Sequence, residues 1–125
     1  LQEFATSLNY RRLRELARPS GDAALDKLLV LLSRDETAHF QFFKNGAKLF
    51  MDEDRGRVVE ALSKVIRTFR MPAQTLIPNF DADDRLIREM GIFDDRIFIR
   101  EVVQPVLKSL GITQEEMRDA RKRLK

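Results

Sequence analysis

A chain of 125 residues has room for one compact domain and little more. Apolar residues make up 43% of it, and Gly, Pro and Trp are few or absent, which reads as a globular and mainly helical protein; with no Cys, disulfides and thiolate metal sites are excluded. The formal charge of +3 is spread over 23 basic and 20 acidic residues with no aromatic–basic pattern, which argues against nucleic acid as a partner, and the longest apolar run, Leu28 to Leu32, is far short of the ~20 residues that span a membrane.

The first helix is expected from the start of the chain to about Ala17. The chain opens on Leu1-Gln2-Glu3, without Met and already in helical pattern, so it is expected to belong to a longer protein. Pro19-Ser20-Gly21 breaks the helix, and Asp22 is a suitable N-cap for the next. That second helix should run to about Met51, where Met51-Asp52-Glu53-Asp54 ends or bends it. A third follows from about Arg55 to Phe69, with Val58, Val59, Leu62, Val65, Ile66 and Phe69 inward. Met71-Pro72 stops it, and residues 71–81 read as irregular. A short helix from about Asp83 to Met90 closes at Gly91. A longer one covers about Asp94 to Leu110, bent by Pro105 and closed by Gly111. Thr113-Gln114-Glu115-Glu116 has capping-box spacing and opens a last, basic helix. Arg11, Arg12, Arg14 and Arg18 form one basic cluster, and Arg118, Arg121, Lys122, Arg123 and Lys125 another, both consistent with solvated helix faces or an acidic partner.

The residues that carry chemistry lie in the second helix. Its expected core stripe is Leu25, Leu29, Leu32, Glu36, His39, Phe43, Gly46 and Phe50. Glu36 and His39, the one His of the chain, interrupt that stripe. A buried carboxylate and imidazole need partners, and a metal ion is one way to satisfy both. The first two helices form a hairpin about Pro19-Ser20. Glu3 and Glu36 are equidistant from that turn, so Glu3 should lie level with Glu36 and close to His39. Glu3 belongs to the stripe Glu3, Thr6, Tyr10, Leu13 and Ala17, which is expected to face the second helix. Two carboxylates and an imidazole suit non-haem iron or manganese and match half of a di-iron carboxylate site. A hydrogen-bonded histidine without metal is the competing reading. Asp35 is either an acceptor that orients a ligand imidazole or a surface partner of Arg34. Thr6 either points its hydroxyl at the metal or bonds back to its own helix.

Asp35-Glu36-Thr37-Ala38-His39 resembles the second Asp-Glu-x-x-His motif of the soluble acyl-carrier-protein desaturases. Gln2-Glu3-Phe4-Ala5-Thr6 resembles the Gln-Glu-x-Ala-Thr stretch on their preceding helix, and Arg70-Met71-Pro72-Ala73 and Gly91-Ile92-Phe93 resemble later landmarks. The resemblance implies an all-α, ferritin-like bundle of which residues 1–125 are the C-terminal part. It implies a di-iron centre that activates dioxygen and desaturates a fatty acyl chain on acyl carrier protein, with reducing equivalents from a ferredoxin. Glu3, Glu36 and His39 correspond to iron ligands, Thr6 to a residue that handles dioxygen protons, and Asp35 to one in the electron path. The other half-site has no counterpart in this chain. A homodimer is expected, in the bacterial cytoplasm or plastid stroma; Phe40, Phe42, Phe43 and Phe50 are either plain core or the lining of an acyl channel, and Lys64, Arg67 and Arg70 either solvated helix surface or a contact with the acidic carrier, the plainer reading being the commoner in both cases. Another di-iron oxygenase on the same bundle, or a metal-storage bundle with a site shared between two chains, are the alternatives.

Overall fold

The computed structural model describes Leu1–Leu124; Lys125, counted above in the C-terminal basic cluster, lies outside the described residues. Helix α1 spans Gln2–Ala17 and ends in a 3-10 turn at Arg18–Ser20, after which Gly21 takes the left-handed φ of 70°. Asp22 caps the next helix as expected, its side chain accepting the Leu25 N–H at 2.9 Å. The expected second and third helices are two halves of one long element, α2 (Ala23–Thr68), bent at Asp54, whose φ of −150° and ψ of 85° are not helical. The Asp54 carboxylate accepts the Arg57 N–H at 3.0 Å, so it caps the second half from inside the helix.

Beyond α2 the elements are short. Residues 71–81 hold one turn, α3 (Ala73–Leu76), and Asn79 after Pro78 has a positive φ of 57°. Helix α4 is Asp81–Glu89, and Gly91 behind it has a φ of 67° that a residue with a Cβ rarely adopts. Then come α5 (Asp95–Ile97), a π-helix (Phe98–Val103) and α6 (Gln104–Ser109), which run on from one another. The bend expected of Pro105 is absorbed by the π-helix, where the Gln104 N–H reaches back to the Ile99 carbonyl. Proline lacks an N–H and crowds the carbonyl one turn earlier, and a widened turn relieves both. Helix α7 (Gln114–Arg123) starts with the expected capping box between Thr113 and Glu116.

The fold is all-α, with no strand among the described residues, as expected for part of a ferritin-like bundle. No helix is long and apolar enough to cross a membrane, among the described residues. The core forms where Ala5 of α1, the second half of α2 (Val59, Ile66), the π-helix (Phe98, Val102, Val103) and α7 (Met117, Ala120) meet. Phe69 stacks on Phe98 with ring centroids 4.4 Å apart. Polar ties frame this core. Arg12 donates to the Gly91 carbonyl and to Glu101, Arg55 pairs with Glu116, and Arg123 pairs with Glu60.

Several expected faces are corrected. Val65 is exposed rather than inward. On the first half of α2 the face that turns inward carries Leu29 and Phe40, whereas Leu25, Phe43 and Phe50 of the expected stripe are exposed. On α1, Leu13 is exposed, and Ser7 and Arg14, outside the expected stripe, reach across to α2. The reason is common to all of these. An apolar residue is buried only where another element covers it, and α1 covers just one flank of the α2 stripe.

Candidate metal centre

The hairpin sets the site. Counting from the turn brings Glu3 level with Glu36, and the structure has them there. His39 Nδ1 lies 3.3 Å from Glu36 Oε2 and 3.5 Å from Glu3 Oε2. One ligand atom from each of the three lies within 4.8 Å of the others. The side chains of Glu3 and Glu36 are 25% and 21% exposed, and that of His39 is 60% exposed. The expectation of a buried pair inside a core stripe is therefore corrected. The three side chains sit in an open cleft, because no described element covers the side of α2 that bears His39 and Phe43.

The electrostatics of the cluster follow from its geometry. The Glu3 carboxyl is raised above its ordinary pKa, chiefly because it shares a hydrogen bond with Glu36. Desolvation and repulsion from the Glu36 carboxylate push the same way, while His39 pulls it down. Two carboxylates held this close favour a shared proton or a shared cation. Two carboxylate oxygens and an imidazole nitrogen suit non-haem iron or manganese, so the donor set fits half of a di-iron site.

Thr6 lies one turn after Glu3 and donates its hydroxyl to the Gln2 carbonyl at 3.0 Å, leaving its oxygen lone pairs free to accept. Asp35 is on the open surface, with Oδ1 3.8 Å from Arg34 Nε, and does not join the three ligands. Of the phenylalanines expected near the site, Phe40 is buried against Phe4 at 4.8 Å between centroids, whereas Phe42, Phe43 and Phe50 are exposed.

Sequence reading missed the contacts that hold the hairpin in register. Ser7 meets Ser33 and Thr37 across the helices, its Oγ lying 2.9 Å from Thr37 Oγ1 and 3.1 Å from the Ser33 carbonyl. Nearer the turn, Arg14 forms a two-pronged pair with Asp26 at 2.7 and 3.1 Å. The signal was present. Ser7 and Ser33, and likewise Arg14 and Asp26, are equidistant from Ser20, half a residue from the centre between Pro19 and Ser20 that pairs Glu3 with Glu36.

An all-α protein that brings two carboxylates and an imidazole together from an antiparallel helix pair is the class defined by fold and site. Within it, residues 1–125 match the model of the family described as "Fatty acid desaturase", and the chain belongs to that family. It is 30% identical over 115 residues to the "Putative acyl-(acyl-carrier-protein) desaturase DesA1" of Mycobacterium tuberculosis, in strains CDC 1551 / Oshkosh and ATCC 25618 / H37Rv. That match covers 92% of this chain and 33% of the relative, so the chain spans about a third of the relative's length. A similarity at 30% identity to the aspartate–tRNA(Asp/Asn) ligase of Anoxybacillus flavithermus (strain DSM 21510 / WK1) covers 68% of this chain and 16% of the ligase. No solved structure matches the chain.

Proposed function

We propose that the chain is part of an acyl-acyl-carrier-protein desaturase and holds one half of its di-iron centre through Glu3, Glu36 and His39. The observation that supports this most directly is the convergence of the three side chains across the α1–α2 hairpin, in a member of the fatty acid desaturase family. The name of the DesA1 relative supports a carrier-bound acyl substrate.

Iron, when bound, supplies the oxidising power drawn from dioxygen that an unactivated C–H bond requires and that acid–base side chains lack. Glu3 and Glu36 bring the negative charge that holds the cation, and His39 a neutral nitrogen donor. Thr6, with free lone pairs one turn from Glu3, is placed to accept a proton or hold a water there. Asp35, next to Glu36 and open to solvent, takes the role of a residue between the ligands and an electron donor of the ferredoxin type. A complete site of this kind takes four carboxylates and two imidazoles, so two further Glu and one His complete it, from elsewhere in the protein or from a second copy.

The carrier also has a candidate seat. A groove of about 460 Å³ is lined by Arg67 and Arg70 together with Phe69, Phe93 and Phe98, and also by Arg88, which is paired with Asp84, and by Asp95. Guanidinium groups over an apolar floor suit an acidic protein that delivers a greasy chain.

The test is conversion. The chain by itself, with half of the site, is expected to be inactive; the purified full-length protein that contains it, loaded with ferrous iron and given reduced ferredoxin, dioxygen and a saturated acyl-acyl carrier protein, should yield a carrier-bound acyl chain lighter by two hydrogens in mass spectrometry. His39→Ala should lose both iron and product while keeping its helical circular dichroism. Iron binding without conversion of the acyl chain would assign the site to another oxygenase or to storage, and failure of the wild type to bind iron would overturn the reading.

A further inference from the structure

We infer that Ser7, Ser33 and Thr37 form a latch that fixes the register of α1 on α2, and that they are positioning residues for the ligand cluster. The inference rests on the proposed metal site. Ser7 lies one turn beyond Glu3 on α1, Thr37 is the neighbour of Glu36, and Ser33 lies one turn before Thr37. Ser7 is 1% exposed, so its hydroxyl is committed to protein partners.

The bonds interlock. The Thr37 hydroxyl donates to the Ser33 carbonyl at 2.8 Å, the Ser33 hydroxyl donates to the Ser7 carbonyl at 3.3 Å, and the Ser7 hydroxyl meets Thr37 Oγ1 at 2.9 Å and the Ser33 carbonyl at 3.1 Å. All but the first cross between the helices. The set is therefore satisfied in one register of α1 against α2, and slipping either helix leaves the buried Ser7 hydroxyl without its partners.

The ligand cluster needs such a device. Glu3 and Glu36 carry like charge and face each other before any cation arrives, which favours sliding apart. Nearby apolar packing, as between Phe4 and Phe40, has no direction and tolerates a slip. The Arg14–Asp26 pair is about three turns from Glu3 and is 41% exposed on both sides, so it holds the turn rather than the ligands. A slip of one turn moves α1 by ~5.4 Å, enough to take Glu3 away from Glu36 and His39. Buried polar groups that set helix register at some expense of stability are known from coiled coils.

The test separates register from stability. Ser7→Ala combined with Ser33→Ala removes both crossing hydroxyls, and Ala is the better helix former, so the helices themselves gain. Binding of cobalt(II), followed by its visible spectrum, should weaken about tenfold, the low end of what residues supporting metal ligands control. Ser33→Thr, which keeps the hydroxyl, should bind like the wild type. A readout without metal comes from the absence of cysteine. In a Glu3→Cys, Glu36→Cys background, oxidation should cross-link the helices, and several-fold more slowly once the latch is removed. If the double alanine variant fails to fold, Ser7→Ala alone carries the same two measurements. Unchanged cross-linking and unchanged cobalt affinity overturn the latch. A wild type that binds no cobalt overturns the metal reading, and the cross-linking rates still decide the latch.

Discussion

The two halves of α2, divided at Asp54, show how differently one helix can be used. In the second half Val59 and Ile66 are 2% and 8% exposed, under α7 and the π-helix. In the first half Phe42, Phe43, Leu49 and Phe50 are 74%, 60%, 69% and 64% exposed. Both halves are rich in apolar residues at helical spacing. One is a finished core, and the other is an apolar wall beside the ligand cluster with one flank covered by α1. An amphipathic pattern thus marks a surface able to be buried, and only a facing element turns it into a core.

This contrast can be broken in four ways, the most severe first. Val102→Asp places a charge at a position with 0% exposure at the centre of the closed half. It should cost more than about 4 kcal/mol and abolish a cooperative thermal melt. Glu3→Gln acts on the open half. The raised Glu3 pKa means that its contribution to stability is fully present below the ordinary carboxylate value of 4.5 and is lost as pH rises through the folded value. The variant should therefore melt at or slightly above the wild-type temperature near neutral pH without metal, while its affinity for cobalt(II) falls by about tenfold or more, a conflict common at functional sites.

Glu116 in the closed half has the opposite sign. Arg55 first, and then Thr113, hold its pKa down to about 2. Its contribution is present above the ordinary value of 4.5 and is lost as pH falls toward about 2, so melting temperature should drop across that window. Glu116→Gln should flatten that drop, and a variant with the full acid dependence would show that the pair does not hold α7. The smallest effect is expected of Phe42→Ser, which should change stability by no more than about 0.5 kcal/mol and reduce binding of an apolar dye. A loss typical of a core phenylalanine would mean that the open face is covered in solution, and the contrast between the halves would fail.

Much of this was legible residue by residue. Asp22, Thr113 with Glu116, Gly91 and Gly111 announce helix ends because caps depend on atoms within a few residues of each other. The bend at Met51 to Asp54 was readable from its run of acidic residues, although the sequence did not say that one helix continues through it. The π-helix before Pro105 was visible only as an expected bend, since the same proline can be relieved by a kink or by a widened turn. Phe40 and Phe43 have the same chemistry and lie nearly one turn apart, yet one is buried on Phe4 and the other exposed. Nothing in their own neighbourhood distinguishes them.

By itself the sequence determined most of the helix ends, though not that α2 continues through Asp54, and also that α1 and α2 fold back on each other and that Glu3, Glu36 and His39 share a level. Each of these follows from local hydrogen bonding and a constant rise per residue. The tertiary structure decided which flank of α2 is covered, that Glu3, Glu36 and His39 lie in an open cleft rather than a core, and that Ser7, Ser33 and Thr37 bond to one another across the hairpin. Burial and cross-helix hydrogen bonds are properties of what stands opposite a residue, and the residues beside it in the chain do not carry that information.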